Sequence, residues 1–169
     1  MTLAAPDPTA AQPPALSFSL AAPEETDRLG QLLATCLRPG DVVLLGGSVG
    51  AGKTHLARAL IRARLGAGED VPSPTFTLVQ TYGADGVEIW HADLYRLGHP
   101  DEIAELGLEQ AFDTAICLIE WPDRLGALAP QGALHLHLSA PPDGEGRIAG
   151  LSGGRPGLLD RIATLWAGA

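Results

Sequence analysis

The stretch GGSVGAGKTH, residues 46–55, carries the spacing Gly-x4-Gly-Lys-Thr. It follows the apolar run VVLL, residues 42–45, which is typical of a strand buried on both faces, and it leads into THLARALIRARL, residues 54–65, which predicts a helix. Glycines let the backbone turn so that several N–H groups face one anion, and the following helix points its positive end at the same place. The pattern predicts a phosphate-binding loop in preference to a glycine-rich turn with an incidental lysine.

The residue types in this loop indicate a nucleotide bound with Mg²⁺. Lys53, expected as an exposed cation at the start of the helix, is long enough to reach the β- and γ-phosphates. The Thr54 hydroxyl is an oxygen ligand suited to Mg²⁺. Further nucleotide contacts are predicted for the rest of the stretch, which comprises Gly47, Ser48, Val49, Gly50, Ala51, Gly52 and His55.

Two acidic residues end predicted strands and are candidates for the metal site and for catalysis. Asp93 follows VEIW in the run HADLYRL, and Glu120 ends the apolar run AICLIE. Mg²⁺ prefers oxygen ligands, and ligands of open α/β sheets gather at strand ends. We expect Glu120 to orient or deprotonate the attacking water and Asp93 to be an indirect metal ligand, with the two roles exchangeable; solvated edge carboxylates are the alternative. Trp121, directly after Glu120, is expected either to stack on a ligand or partner or to pack in the core.

The run VPSPTFTL, residues 71–78, places two hydroxyl side chains on a stiff backbone. Its prolines restrict the chain around Ser73 and Thr75. A hydroxyl held in this way is suited to sensing a γ-phosphate and its metal, as switch segments do. The alternative is an ordinary turn into the strand TFTLVQTY, residues 75–82.

The predicted elements alternate along the chain and indicate one α/β domain over residues 16–169, preceded by an Ala- and Pro-rich disordered arm over residues 1–15. Strands are predicted at residues 16–21, 42–45, 75–82, 87–95, 115–121, 135–140 and 147–152. Helices are predicted at residues 23–37, 54–65, 100–112 and 157–166. A hairpin across GADG, residues 83–86, makes the sheet mixed.

Composition limits the possible functions. The formal charge of −9 disfavours tight binding of nucleic acid by this chain alone, because phosphate backbones attract basic surfaces. No apolar run is long enough to span a membrane and residues 1–15 lack a secretory signal, so we expect a cytoplasmic location. Cys36 and Cys117 are predicted to be buried thiols. We predict that His135 and His137 are exposed strand residues in preference to a metal-binding pair. Arg58 and Arg62 are likewise predicted to be solvated surface in preference to a contact with an acidic partner or RNA.

Four segments in chain order, GSVGAGKT, SPTFTLV, HADLYRL and IEWPDRL, resemble the TsaE (YjeE) family of small bacterial ATPases, which serve tRNA threonylcarbamoyladenosine biosynthesis. The resemblance covers residues 24–138 and implies a P-loop NTPase-like three-layer sandwich with a mixed, mostly parallel central sheet. It implies binding and hydrolysis of ATP with Mg²⁺, weak without partner proteins. It also implies that the chain supports the TsaD–TsaB complex in forming N6-threonylcarbamoyladenosine at position 37 of tRNAs that read ANN codons, with tRNA contacted only indirectly.

The resemblance also assigns site residues by position. It matches the loop, the switch-like segment, the acidic pair and the neighbouring tryptophan to Lys53, Thr54, Ser73, Thr75, Asp93, Glu120 and Trp121. The chain departs from the family pattern at Ser48, where the family usually has Asp, and at His55, where it usually has Thr or Ser. Both departures flank the essential loop positions and bear on nucleotide affinity.

Two other activities suit a chain of this size. A small-molecule P-loop kinase needs an arginine-bearing lid and an acceptor pocket, and no arginine-rich insertion lies between the loop helix and AICLIEW. A GTP switch needs a guanine-reading segment such as Asn-Lys-x-Asp, which the sequence lacks. The ATPase is therefore the favoured function, with the kinase as its alternative.

Overall fold

The computed structural model describes residues 13–169. The disorder predicted for residues 1–15 falls mainly on residues 1–12, which lie outside the described residues. The N–H of Ala15 donates to the carbonyl of Leu151 at 2.9 Å, so the chain already contacts the sheet at residue 15.

Residues 13–169 form seven strands and five α-helices. The strands are β1 Leu16–Leu20, β2 Val42–Gly46, β3 Val79–Ala84, β4 Val87–Asp93, β5 Ile116–Glu120, β6 Leu134–Ser139 and β7 Arg147–Gly153. The helices are α1 Pro23–Cys36, α2 Lys53–Leu65, α3 Pro100–Ala104, α4 Leu108–Thr114 and α5 Leu158–Ala167, with a 3₁₀ helix at Pro122–Leu128. In the described part of the chain, no helix is long and apolar enough to cross a membrane.

The strands form one sheet in the order β1-β7-β6-β2-β5-β4-β3. Strand β2 pairs in parallel with β5 and β6, and β5 pairs in parallel with β4. Strand β7 runs antiparallel to both β1 and β6, and β3 runs antiparallel to β4 in the predicted hairpin. Strands β1, β6, β2, β5 and β4 therefore share one direction while β7 and β3 oppose it, which confirms a mixed, mostly parallel sheet.

Helices cover both faces of the sheet and make three layers. Side chains of β2 alternate between the two cores: Val43 and Leu45 pack with helices α1, α2 and α5, whereas Val42 and Leu44 pack with α3, α4 and the 3₁₀ helix. A central strand covered on both faces must be apolar at every position, which is why VVLL and ICLI show no polar alternation. The predicted three-layer sandwich is confirmed.

Two predicted elements have different bounds in the structure. The helix expected over residues 100–112 is divided into α3 and α4 because Gly107 adopts a left-handed conformation at φ 78°. The strand expected from residue 75 begins only at Val79, since the preceding residues form a turn in which the Leu78 N–H donates to the Pro74 carbonyl at 2.8 Å. The turn keeps Thr75 out of the sheet and beside the cavity described in the next subsection.

Candidate functional site

The predicted phosphate-binding loop lies at the carboxyl edge of the sheet centre. Strand β2 ends at Gly46, and helix α2 begins at Lys53 immediately after the loop. Gly47 has φ 137°, and a Cβ there would lie 2.5 Å from the carbonyl oxygen of Leu138 on β6. Only glycine allows this close approach of the loop to the neighbouring strand.

A cavity of about 450 Å³ opens beside this loop and gathers the predicted site residues. Its lining comprises Val49, Gly50, Ala51, Gly52, Lys53, Thr54, His55, Ser73, Thr75, Asp93, Tyr95, Glu120 and Trp121. Among the residues predicted to form the site, Gly47 and Ser48 are outside the lining. Their carbonyls face Lys53 instead, as described below. Residues from four separate segments of the sequence thus surround one cavity.

Lys53 is buried, with 6% of its surface exposed, so the expectation of an exposed cation is wrong. Its ammonium group folds across the loop and donates to the carbonyls of Gly47 at 2.6 Å and Ser48 at 2.9 Å. It also lies 4.2 Å from the centre of the Trp121 ring. Burial lowers the pKa of Lys53, while the nearby charges of Glu120 and Asp93 act in the opposite direction.

Glu120 is buried at the end of β5 and contacts the loop helix. Its Oε1 accepts a hydrogen bond of 2.7 Å from the Thr54 hydroxyl, and its Oε2 lies 3.7 Å from Nε2 of His91, which is too long for a hydrogen bond. Burial by itself would raise the pKa of Glu120, but contact with His91, the Thr54 hydrogen bond and the charge of Lys53 together lower it. The carboxylate is therefore held in its charged form next to Thr54.

Asp93 lies beside Glu120 because β4 and β5 are neighbouring parallel strands, in which these two residues face each other in register. The backbone N–H of Tyr95 donates to Oδ1 of Asp93 at 3.0 Å. Burial raises the pKa of Asp93 and the charge of Glu120 adds to this rise, against the lowering effect of the Tyr95 hydrogen bond. The two carboxyl groups thus have pKa values shifted in opposite directions, a pattern common in sites with divided acid–base roles.

The switch-like segment and an aromatic pair also line the cavity. The hydroxyls of Ser73 and Thr75 form a hydrogen bond of 2.7 Å to each other. Trp121 adopts a left-handed backbone conformation, φ 58°, and its ring centre lies 4.8 Å from that of Tyr95. Trp121 therefore lies at the cavity and also packs against the core on the face of the sheet covered by α3 and α4. Both roles expected from the sequence, a ligand contact and core packing, thus describe part of its environment.

Two residues of the site were not among the predicted ones. His91 is completely buried on β4 behind Glu120, and Tyr95 lines the cavity with half its surface exposed. Both belong to the run HADLYRL, so the motif that supplied Asp93 already contained the signal. His91 precedes Asp93 by two residues, and this spacing in a strand points both side chains to the same face.

The residues predicted to be plain surface have mixed environments. His135 and His137 are exposed on β6. Arg58 and Arg62 are half-buried, and their Nε groups donate to the carbonyls of Val71 at 2.8 Å and Glu69 at 3.1 Å, so they bind the loop after α2. Both cysteines are buried and free, as predicted.

Comparison with known proteins shows the family of this chain. Residues 20–148 match the model of a family described as threonylcarbamoyl adenosine biosynthesis protein TsaE. The chain belongs to the TsaE family. The matched region includes all four sequence segments that carry the resemblance and every residue that lines the cavity.

Relatives within the TsaE family cover most of the chain. A protein of Rickettsia conorii named tRNA threonylcarbamoyladenosine biosynthesis protein TsaE is 45% identical over 117 residues, which are 69% of this chain and 67% of the relative. The protein of the same name from Bacillus subtilis is 36% identical over 127 residues, covering 75% and 78% of the two chains. The crystal structure of Bacillus subtilis YdiB superposes with a TM-score of 0.74 at 25% identity, covering 92% of this chain and 99% of YdiB.

Proposed function

We propose that this TsaE-family chain binds and hydrolyses ATP with Mg²⁺ in support of N6-threonylcarbamoyladenosine formation at position 37 of tRNAs that read ANN codons. The observation that carries the proposal is the convergence of Lys53, Thr54, Asp93 and Glu120 on one cavity beside a phosphate-binding loop. This set combines a cation for phosphates, a hydroxyl and two carboxylates, which are the groups that phosphoryl-transfer sites use.

The donor set fits Mg²⁺. Thr54 and Glu120 contribute a hydroxyl and a carboxylate held 2.7 Å apart, and both are hard oxygen ligands. When bound, Mg²⁺ would neutralise charge on the β- and γ-phosphates. Because Glu120 is charged and already paired with the Thr54 hydroxyl, we assign these two residues to the metal.

This assignment exchanges the roles that the sequence favoured for the two carboxyl groups. Glu120 directs one oxygen to Thr54 and the other towards His91, which leaves it poorly placed to accept a proton from water. Asp93 has one oxygen held by the Tyr95 N–H, and its side chain lines the cavity. We therefore propose that Asp93 orients or deprotonates the attacking water.

The partner is proposed to be the TsaD–TsaB complex, which would hold the tRNA. The chain has a charge of −9, which opposes direct binding of RNA. Thr75 lines the cavity, and the next residue, Phe76, is 86% exposed with the Arg96 guanidinium 5.6 Å from its ring centre. Exposed aromatic and arginine side chains are frequent at protein interfaces, so a γ-phosphate sensed by Thr75 would alter a surface suited to a partner.

The direct test is ATP hydrolysis by the purified chain with Mg²⁺, alone and with TsaD–TsaB and tRNA. Release of inorganic phosphate that increases with the complex, together with multiple-turnover tRNA modification, supports the proposal. Transfer of the γ-phosphate to a small-molecule acceptor, in place of phosphate release, would favour the kinase alternative. GTP serves as the nucleotide control, since the sequence contains no guanine-reading segment.

A further inference from the structure

Arg147 lies at the start of β7, outside the segments that carry the family resemblance, yet it binds the phosphate loop. Its Nε donates to the carbonyl of Ala51 at 3.1 Å, and its Nη2 donates to the carbonyl of Gly50 at 3.1 Å. Its Nη1 donates to the carbonyl of Gly146 at 2.6 Å. One guanidinium thus connects two consecutive loop peptides to the antiparallel part of the sheet.

We propose that Arg147 is a positioning residue for phosphate binding, an inference that rests on the nucleotide-binding role proposed above. In a trans peptide, the C=O and the following N–H point in opposite directions. Holding the Ala51 carbonyl against Arg147 therefore turns the Gly52 N–H the other way. Gly52 lines the cavity, and its N–H has no backbone partner among the described residues.

The neighbouring peptide is fixed from both ends. The Gly50 carbonyl is held by Arg147, and the Ala51 N–H of the same peptide donates to the Ser48 carbonyl at 3.1 Å inside the loop. Two glycines with positive φ, Gly50 at 78° and Gly52 at 104°, make this loop intrinsically free to change conformation. Arg147 restricts that freedom before any nucleotide arrives, which lowers the entropic cost of binding.

The anchor of Arg147 is itself rigid. Arg147 pairs with Leu20 of β1, and the preceding Gly146 has φ 73°. A Cβ on Gly146 would lie 2.5 Å from the Leu20 carbonyl oxygen, so the backbone at Gly146 packs against β1 too closely for any residue with a side chain. The guanidinium therefore extends towards the loop from a fixed position on the sheet.

Arginine has two properties that this role requires. Its planar fork can donate to adjacent carbonyls at once, which a lysine ammonium does with less geometric control. It is also always charged, and Arg147 forms no ion pair with a carboxylate in the part of the chain that the structure describes. Its positive charge next to the loop adds to the attraction for phosphates in a chain that is otherwise acidic.

The test compares Arg147→Met and Arg147→Lys with Arg161→Met, a control that removes the same charge from an exposed position on α5. Dissociation constants for ATP and ADP with Mg²⁺ are measured by calorimetry. Losing the two hydrogen bonds from the guanidinium to the loop carbonyls should weaken nucleotide binding about tenfold in Arg147→Met. Arg147→Lys should lie between it and the parent, and Arg161→Met should match the parent.

A second measurement separates positioning from simple stabilisation. Hydrogen exchange at the Ala51 amide should be faster in Arg147→Met without nucleotide, while the melting temperature of the unliganded chain changes little. Parent-like nucleotide affinity in Arg147→Met, or unchanged exchange at Ala51, would overturn the role of Arg147. Failure of the unmodified chain to bind either nucleotide would instead count against the proposed function.

Discussion

Glu120→Gln removes one buried charge at nearly constant shape, and the structure allows its effects on stability and activity to be separated. The Thr54 hydroxyl donates to Glu120 at 2.7 Å, and a glutamine carbonyl can still accept this bond. A charge-assisted bond becomes a neutral one, so we expect a loss of about 1–2 kcal/mol in the free energy of unfolding. For a chain of this size, that lowers the melting temperature by about 2–8 °C and leaves the protein folded at 25 °C.

The effect of Glu120→Gln on hydrolysis should be larger than its effect on stability. If Glu120 and Thr54 hold Mg²⁺, loss of the carboxylate charge should reduce the rate by about 100-fold, which corresponds to about 2.7 kcal/mol in activation free energy. The Mg²⁺ concentration for half-maximal activity should also rise, and saturating Mg²⁺ should restore part of the rate. Asp93→Asn, the matched variant, should reduce kcat by a similar factor with little change in the Mg²⁺ requirement.

The assay is steady-state phosphate release over a Mg²⁺ titration, with TsaD–TsaB present and with calorimetric ATP affinity measured in parallel. If only Asp93→Asn changed the Mg²⁺ requirement, the roles would be those first expected from the sequence. Hydrolysis at the parent rate in Glu120→Gln, in a folded protein with partner, would refute any essential role for this carboxylate.

Three further predictions concern other parts of the molecule. Lys53→Ala should weaken ATP binding by about 100-fold or more, because Lys53 is the only lysine in the sequence and its ammonium group lies at the loop. Parent-like ATP affinity, measured by calorimetry, would contradict the loop assignment. Thr75→Ala should bind ATP normally. The parent chain should bind purified TsaD–TsaB more tightly with an ATP analogue than with ADP, and the variant should lose this difference. If the variant kept the difference and supported normal tRNA modification, Thr75 would be only a turn residue. Cys36 and Cys117 should not react with a thiol reagent at pH 8 in the native protein, since both are buried and burial raises the pKa of Cys117 to about 12. Both thiols should react in denaturant, which is the control. Rapid labelling of the native protein would show that the core opens.

Most elements of the fold were predictable because their signals are local. The fully apolar runs at β2 and β5 require cover on both faces, and this alone indicates a central position in a three-layer sheet. Predictions were wrong where a single backbone conformation overrode a longer pattern. Gly107 interrupts a continuous helical periodicity, and the turn closed by Leu78 delays β3 although residues 75–78 suit a strand by composition.

The site was predictable as a list of residues, while its contacts were not. The loop spacing and the acidic strand ends nominated Lys53, Thr54, Asp93 and Glu120 without any structure. The burial of Lys53 depends on how its side chain folds over the loop, which no sequence pattern records. The contact between His91 and Glu120 depends in turn on the pairing of β4 with β5.

The sequence by itself determined the glycine-rich loop, the seven strands in their order along the chain, and the residue types available to the proposed ATP and Mg²⁺ site. These depend on short-range properties: which positions need glycine, which runs must be buried, and which side chains offer oxygen or positive charge. Only the tertiary structure decided that Thr54 pairs with Glu120, 66 residues away, and that Arg147 binds the loop carbonyl of Gly50, 97 residues away. Such pairs form because parallel strands from distant segments align their ends at one sheet edge and because β7 approaches the loop from the far side of β6. Strand register and packing of the whole domain set those distances, and no local pattern in the sequence encodes them.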